Sequence, residues 1–323
     1  MGRGITILFL LFIAVSFTSN GQTAIVNRLQ QHVYTAKTPE EKLQALLNLF
    51  EQYHSINRDT LDKYGPEVKE LAAASNNQRH KSLAELAYAN WYYRWGWSDS
   101  ALFFIEPEIA RNPVENPATR DIYFKLLRAK AMYYGSKSRF AEALDVLYNM
   151  LPKAEQYNDT LTIGLTCNTI GSVAIARQQL QEALKWIKRA IQVAGNKGRY
   201  VEVLAPASIN AGNAYASLGK ADSALYFIEN GLPFCRQLQN LNYVATALRV
   251  QTNIYTAKKQ YPLAEKALLE MISIRKMLAP AFLLVEENLQ LADFYAGSGQ
   301  LEKAIEWCKL NLKKGSLTEG SDQ

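Results

Sequence analysis

Cysteine is scarce in this 323-residue chain: Cys167, Cys235 and Cys308 are all there is. An odd number of widely spaced cysteines excludes a disulfide framework, and no Cys-x-x-Cys pair offers a zinc site. Histidine is equally thin. His32, His54 and His80 stand apart, and none is spaced four residues from a second metal ligand. No phosphate-cradling Gly-x-x-x-x-Gly-Lys-Ser/Thr loop and no Gly-x-Ser-x-Gly elbow is present. Gly297-Ser298-Gly299 reads as a turn between helices. The acid pairs Glu40-Glu41 and Glu286-Glu287 lie on helices patterned for solvent. Catalysis, metal binding and cofactor binding are therefore not expected. Strand alternation flanked by hairpin turns is also missing, so the chain reads as all-α.

Charge of one sign is lacking too. The net charge of +6 is mild, and no lysine- or arginine-rich run of nucleic-acid type occurs. Proline is sparse. Pro39, Pro113, Pro117 and Pro280 fall where helices should start or stop; Pro152, Pro206, Pro233 and Pro262 fall near helix ends or inside them, where some would kink a helix.

One long apolar run is present, Ile5 to Phe17. Arg3 precedes it and Ser19-Asn20-Gly21 follow. A charged start, an apolar core and small residues describe a secretory signal peptide over 1–21. The run is short of the ~20 residues a membrane span needs. No cysteine follows it to carry a lipid anchor. Cleavage near Gly21 would leave an exported chain, periplasmic or secreted, of net charge +5, because Arg3 is the only charge removed. An uncleaved anchor is the alternative. No second apolar run is long enough to span a membrane. Residues 22–37 read as a lead-in helix, and 315–323 as a polar, disordered tail.

What the chain has in abundance is self-similarity. Ala101, Ala143, Ala183, Ala224, Ala264 and Ala304 follow one another at gaps of 42, 40, 41, 40 and 40 residues. Nine residues before most of them stands an aromatic: Tyr92, Tyr134, Tyr215, Tyr255 and Tyr295, with Ala174 the exception. Three residues earlier again stands a small residue: Ala89, Ala131, Gly171, Gly212, Thr252 and Ala292. A fixed period of this length marks stacked supersecondary units. In the clearest unit, Asn210 to Lys220 reads as a helix closing near Gly219, and Asp222 to Ile228 opens a second. Gly212 and Ala224 should face each other where the two helices pass closest. Tyr215 and Ile228 should fill the wider gaps beside them.

The order Gly212-x-x-Tyr215, then Ala224-x-x-x-Ile228, resembles the tetratricopeptide repeat. It recurs as Gly171-x-x-Ala174 with Ala183-x-x-x-Ile187, and as Ala292-x-x-Tyr295 with Ala304-x-x-x-Cys308. Asp59 to Tyr64 echoes Asp222 to Tyr226 and marks a degenerate first repeat. The resemblance implies a right-handed superhelical solenoid of about seven helix-turn-helix repeats over 38–314. The usual repeat is about 34 residues, and these are longer. They are similar to the arrays of bacterial regulators and kinesin light chains. The tryptophan usual near the start of the first helix is missing; Cys167, Ser208 and Leu248 lie there. Because stacked repeats touch only their neighbours, Cys167 and Cys308 should not meet. Each cysteine reads as a small buried apolar residue.

The resemblance also implies a partner-binding groove lined by the first helix of each repeat. Carried over by position, its contacts are Asn90, Met132, Ser172, Asn213, Asn253 and Asp293, with Leu86, Arg128, Asn168, Ile209, Arg249 and Leu289 four residues earlier. Tyr93 and Arg94 follow the tyrosine position. Asparagine donates and accepts, and arginine forks onto carboxylates, so the groove suits a peptide. Arg249 and Asn253, four apart on one helix face, are similar to the first half of a carboxylate clamp, but Leu289 and Gln290 do not complete it. In Trp91-Tyr92-Tyr93-Arg94-Trp95-Gly96-Trp97, Tyr92 should pack inside the repeat and the tryptophans should seal it against its neighbours. An aromatic platform for a peptide or glycan is the other reading. The expectation is a non-enzymatic protein- or peptide-binding scaffold of the bacterial envelope, without nucleic-acid partners. The alternative is a sensor module acting on a histidine kinase or transcription factor.

Overall fold

Apolar and small residues recurring at helical spacing cannot bury themselves within one helix, so they drive helices to pair and pairs to stack. The computed structural model describes residues 26–52, 56, 58–195, 200–278 and 285–318. The signal-peptide reading of 1–21 and Pro280 lie outside them. A first helix, α1, spans 26–35. Seven pairs follow: α2 (Pro39–Glu51) with α3 (Arg58–Ala74), α4 (Gln78–Arg94) with α5 (Ser98–Arg111), and α6 (Arg120–Ser136) with α7 (Phe140–Gln156). Then come α8 (Thr160–Ala176) with α9 (Leu180–Ala194), α10 (Val201–Ser217) with α11 (Ala221–Gln237), α12 (Leu241–Ala257) with α13 (Tyr261–Leu278), and α14 (Val285–Gly297) with α15 (Leu301–Thr318). Among the described residues there is no strand. No described helix is long and apolar enough to cross a membrane.

Helix starts follow local chemistry. Thr38 caps α2, its Oγ1 accepting from the Glu41 N–H at 3.2 Å, while Glu41 reaches back to the Lys37 N–H at 2.8 Å. Pro39 occupies the first turn, where its missing N–H costs nothing. Pro152, Pro206 and Pro233 lie inside α7, α10 and α11, as do Pro66 and Pro107 in α3 and α5.

The first helix of every pair from α4 to α14 ends in the same way. The N–H four residues before the repeat alanine bonds back to the carbonyl of the aromatic position: Trp97 to Tyr92, Arg139 to Tyr134, Gln179 to Ala174, Lys220 to Tyr215, Gln260 to Tyr255 and Gln300 to Tyr295, at 2.8–3.1 Å. This six-to-one bond is the Schellman closure, and it needs a left-handed residue inside it. That residue is Gly96, Gly219 or Gly299 in three turns, and Ser138, Gln178 or Lys259 in the other three, all with φ between 58° and 82°. A side chain there strains the backbone by ~1–2 kcal/mol. Lys259→Gly should therefore raise stability by ~0.5–1.5 kcal/mol. A higher urea midpoint checks this; a lower one would show that the Lys259 side chain contributes more than its strain costs.

Stacking places the small residues where the sequence puts them. A Cβ on Gly212 would stand 2.6 Å from Ile228 and 3.2 Å from the Ala224 carbonyl oxygen, and one on Gly171 would meet Ile187 and Ala183 likewise. Ile228 is fully buried, and Tyr215 stacks on Phe227 at 5.3 Å. First helices of successive pairs, α4 to α6, α6 to α8, α8 to α10 and α10 to α12, touch one another, whereas second helices make no comparable contact. The stack therefore curves, with the first helices on its inner side.

Two expectations change at the carboxyl end. The helix of the last repeat runs on to Thr318, past the expected end at Lys314. Cys308 is exposed rather than buried, since no described residue covers it. Cys167 and Cys235 are buried, and burial pushes their thiols up to about 11 and about 12. They are protonated packing groups, with the weak nucleophilicity that implies.

Candidate functional site

The inner helices present their side chains in rows that obey the repeat period. One row lies in the first turns: Asp121, Leu161, Glu202 and Tyr243. The next is Lys125, Leu165 and Pro206; then Arg128, Thr169 and Asn210; then Met132 and Ser172. Together they enclose a cavity of about 470 Å³ on α6, α8, α10 and the start of α12, with Glu51 and Gln52 from the end of α2 closing one side. Phe124 and Met150 add apolar wall, and Asn168 sits beside the third row.

Most of its polar groups are already committed. Asp121 takes a two-pronged bond from Arg79 at 2.7 and 2.6 Å, which holds its carboxyl below the usual carboxylate range. That contribution to stability is present above the unfolded pKa of Asp121 and fades as pH falls through the lowered value. Lys125 Nζ donates to Glu51 at 3.0 Å, and Asp159 caps α8. Asn210 Nδ2 donates to the buried Asn168 Oδ1 at 3.0 Å, fixing two amides side by side. Arg128 is different. It is half-buried, and it makes no hydrogen bond or ion pair with any described residue. Burial raises the Tyr243 phenol above its ordinary range, and the Arg128 charge opposes that shift; both groups line the cavity.

Of the residues expected to contact a partner, Arg128, Asn168, Met132 and Ser172 line this cavity. Asn90 does not: it is buried, and Tyr133 Oη donates to its Oδ1 at 2.8 Å. Tyr93 packs on Tyr133 at 5.1 Å between ring centres, and burial raises its phenol. Arg94 is half-buried, as are Asn213 and Arg249, while Asn253 and Asp293 are exposed; all five lie outside the cavity lining. The contact rows implied by the resemblance fall later in the helices than Glu202 and Tyr243, and take Ile209 rather than its neighbour Asn210. The signal was available, since they stand 40–41 residues from their counterparts in the adjoining repeats.

The aromatic stretch divides. Trp91 does seal a neighbour, covering Gly65, whose Cβ would stand 2.9 Å from the indole. Trp95 and Trp97 do not; they are 37% and 53% exposed and stack on each other at 5.8 Å. Asp62 Oδ1 accepts both the Trp91 and the Trp95 indole N–H, at 2.6 and 2.8 Å. Elsewhere His80 Nδ1 pairs with Glu40. Among the described residues no group of three or more His, Cys, Asp or Glu is placed to hold a metal ion.

Helix pairs at a 40-residue period, small residues at each crossing and a groove on the first helices decide the architecture. The fold is that of a tetratricopeptide-like solenoid. Solved structures of such solenoids superpose on most of the chain. A Rap protein complexed with Competence and Sporulation Factor aligns over 97% of this chain and 88% of its own, with a TM-score of 0.62 and 12% identity. The quorum sensor NprR from B. thuringiensis aligns over 94% and 86%, at 0.57 and 16%. A signal-transduction ATPase with a tetratricopeptide repeat sensor from Pyrococcus horikoshii aligns over 92% of this chain and 49% of that one, at 0.57 and 17%. No family model and no curated protein matches the sequence.

Proposed function

We propose that this tetratricopeptide-like solenoid is a non-enzymatic scaffold of the bacterial cell envelope that holds a peptide segment of a partner in its inner groove. The observation that carries the reading is Arg128: a half-buried guanidinium without a described partner, beside the Asn168–Asn210 amide pair and an apolar wall of Phe124, Met132, Leu165 and Tyr243. A guanidinium binds a carboxylate through two parallel bonds, amides take up peptide N–H and C=O groups, and the wall takes side chains. The apolar run at 5–17 with its flanks supports export.

The test is affinity capture from envelope extracts on the chain from Gln22, followed by measured affinity for the captured peptide. Arg128→Ala should weaken binding by at least ~10-fold, the value of one charge-assisted hydrogen bond. Arg249→Ala with Asn253→Ala, outside the cavity, should leave it unchanged. Binding unaffected by Arg128→Ala but lost in the second variant would move the site to α12.

A second reading has one observation in its favour. The superposition covers about half of a signalling protein whose repeats are described as a sensor. In that reading the groove is the input, stand-alone or truncated, of a signalling system that regulates a histidine kinase or transcription factor. A captured partner that carries such an output domain would favour it.

A further inference from the structure

Every second helix in the stack hides the same positions. Four residues after the repeat alanine stand Ile105, Leu147, Ile187, Ile228 and Leu268, each at most 3% exposed. One residue after it stand Leu102 and Leu184, 8% and 5% exposed, and Leu144, Leu225 and Glu265, half-buried. The following pair of helices completes that burial. On α15 the equivalent residues are Cys308 and Ile305, and both are exposed, Ile305 at 53%. Leu301, 63% exposed, precedes Ile305 by one turn, so Leu301, Ile305 and Cys308 form a stripe at helical spacing on a face built like the other stacking faces.

We propose that this face is covered by a second copy of the chain, with two α15 helices packed antiparallel across a two-fold axis near Cys308. The face continues the interface that joins every earlier pair. Its charges select the orientation: Glu306 lies before the centre of the stripe and Lys309 after it, both exposed, while Lys303 is already paired with Glu265. Antiparallel pairing about a centre between Trp307 and Cys308 sets Glu306 against Lys309 of the other copy. Parallel pairing would set like against like. A two-fold contact of this kind closes on itself and stops at the dimer. The proposal does not rest on the groove, which lies on the first helices.

Sedimentation velocity on the chain from Gln22, which holds every described residue, tests it. A concentration-dependent dimer is expected at up to ~100 μM, above the micromolar range in which ordinary interfaces associate. Ile305→Glu should weaken it at least ~30-fold with helicity unchanged, as a charge placed in the centre of an interface does. Glu306→Lys should weaken it, and adding Lys309→Glu should restore it. A short bismaleimide should join two copies through Cys308, and Cys308→Ser should abolish the product. A monomer at every concentration, growth beyond the dimer, or association indifferent to Ile305→Glu would each overturn the proposal.

Discussion

Gly212→Leu should remove most of the stability of the central repeats. A single added carbon at Gly212 would already lie 2.6 Å from two atoms of Ile228 and 3.2 Å from the Ala224 carbonyl oxygen. Real side-chain contacts do not reach that distance, so α10 and α11 must move apart or Ile228 must leave its place. Overpacking of this kind costs ~1–3 kcal/mol for one or two carbons. Leucine adds more carbons and leaves no side chain room to yield, so a loss beyond ~3 kcal/mol is expected from a total on the order of 5–15. Because each pair is stabilised by its neighbours, the loss also weakens α8–α9 and α12–α13. Gly135→Ala is the matched control. No atom lies within 4 Å of a Cβ there, and alanine is the better helix former by ~1 kcal/mol, so that variant should gain stability. Urea midpoints of the two variants should move in opposite directions. An unchanged midpoint for Gly212→Leu would mean that the α10–α11 crossing is looser than the structure shows.

Arg111→Ala should destabilise the second repeat by ~2–3 kcal/mol. Its partner Glu108 is 1% exposed, an acid at a position where other repeats carry Met150, Ala190 or Met271. Two groups satisfy the carboxylate: Ser82 Oγ donates to it at 2.6 Å, and Arg111 pairs with it from the surface. Asn112 Nδ2 completes the cluster by donating to Ser82 Oγ at 2.9 Å and to the Glu108 carbonyl oxygen at 2.7 Å. Removing the arginine leaves a buried charge with one neutral donor. Breaking a wholly buried pair costs ~3–5 kcal/mol; Arg111 is 60% exposed, so solvent screens part of the attraction and the smaller range applies. Glu108→Gln in the Arg111→Ala background should recover much of the loss, because the buried group is then neutral. A double-mutant cycle in urea should give a coupling of at least ~1 kcal/mol. Additive single effects would show that water already reaches Glu108.

Where sequence and structure agree, the deciding interaction is local or repeats. Steric demand at each helix crossing selects a small residue in every unit from α4 to α15, glycine or alanine at all these positions but Thr252, so the period, the pairing and the positions of Gly171, Gly212 and Ala224 could be read directly. Half of the turns could be read as well, because glycine at Gly96, Gly219 and Gly299 announces a left-handed residue. Ser138, Gln178 and Lys259 hold the same conformation with no such mark. There the closing hydrogen bond and the packing of the next helix impose it against local preference. Asn90 falls on a contact row of the tetratricopeptide groove because it follows the small residue Ala89. Tyr133, 43 residues on, fills this one and takes the amide. Glu108 shows the same limit, since its burial depends on Ser82, 26 residues earlier on α4, which no helical periodicity links to it. In the groove, Arg128 and Asn168 were legible because they fall on the rows sought. Glu202 and Tyr243 lie one to two turns earlier on the inner helices, whose first turns also line the cavity.

The indoles of Trp91 and Trp95 share one carboxylate, that of Asp62, and Trp97 stacks beside them; only Trp186 and Trp307 lie elsewhere in the chain. Intrinsic emission is thereby weighted toward the α3–α5 end of the stack, whereas far-ultraviolet ellipticity sums over all the helices. In a linear array whose units melt with different free energies, the two signals need not coincide. Melting curves recorded at both wavelengths would separate loss of the α3–α5 end from loss of the rest, with no label attached.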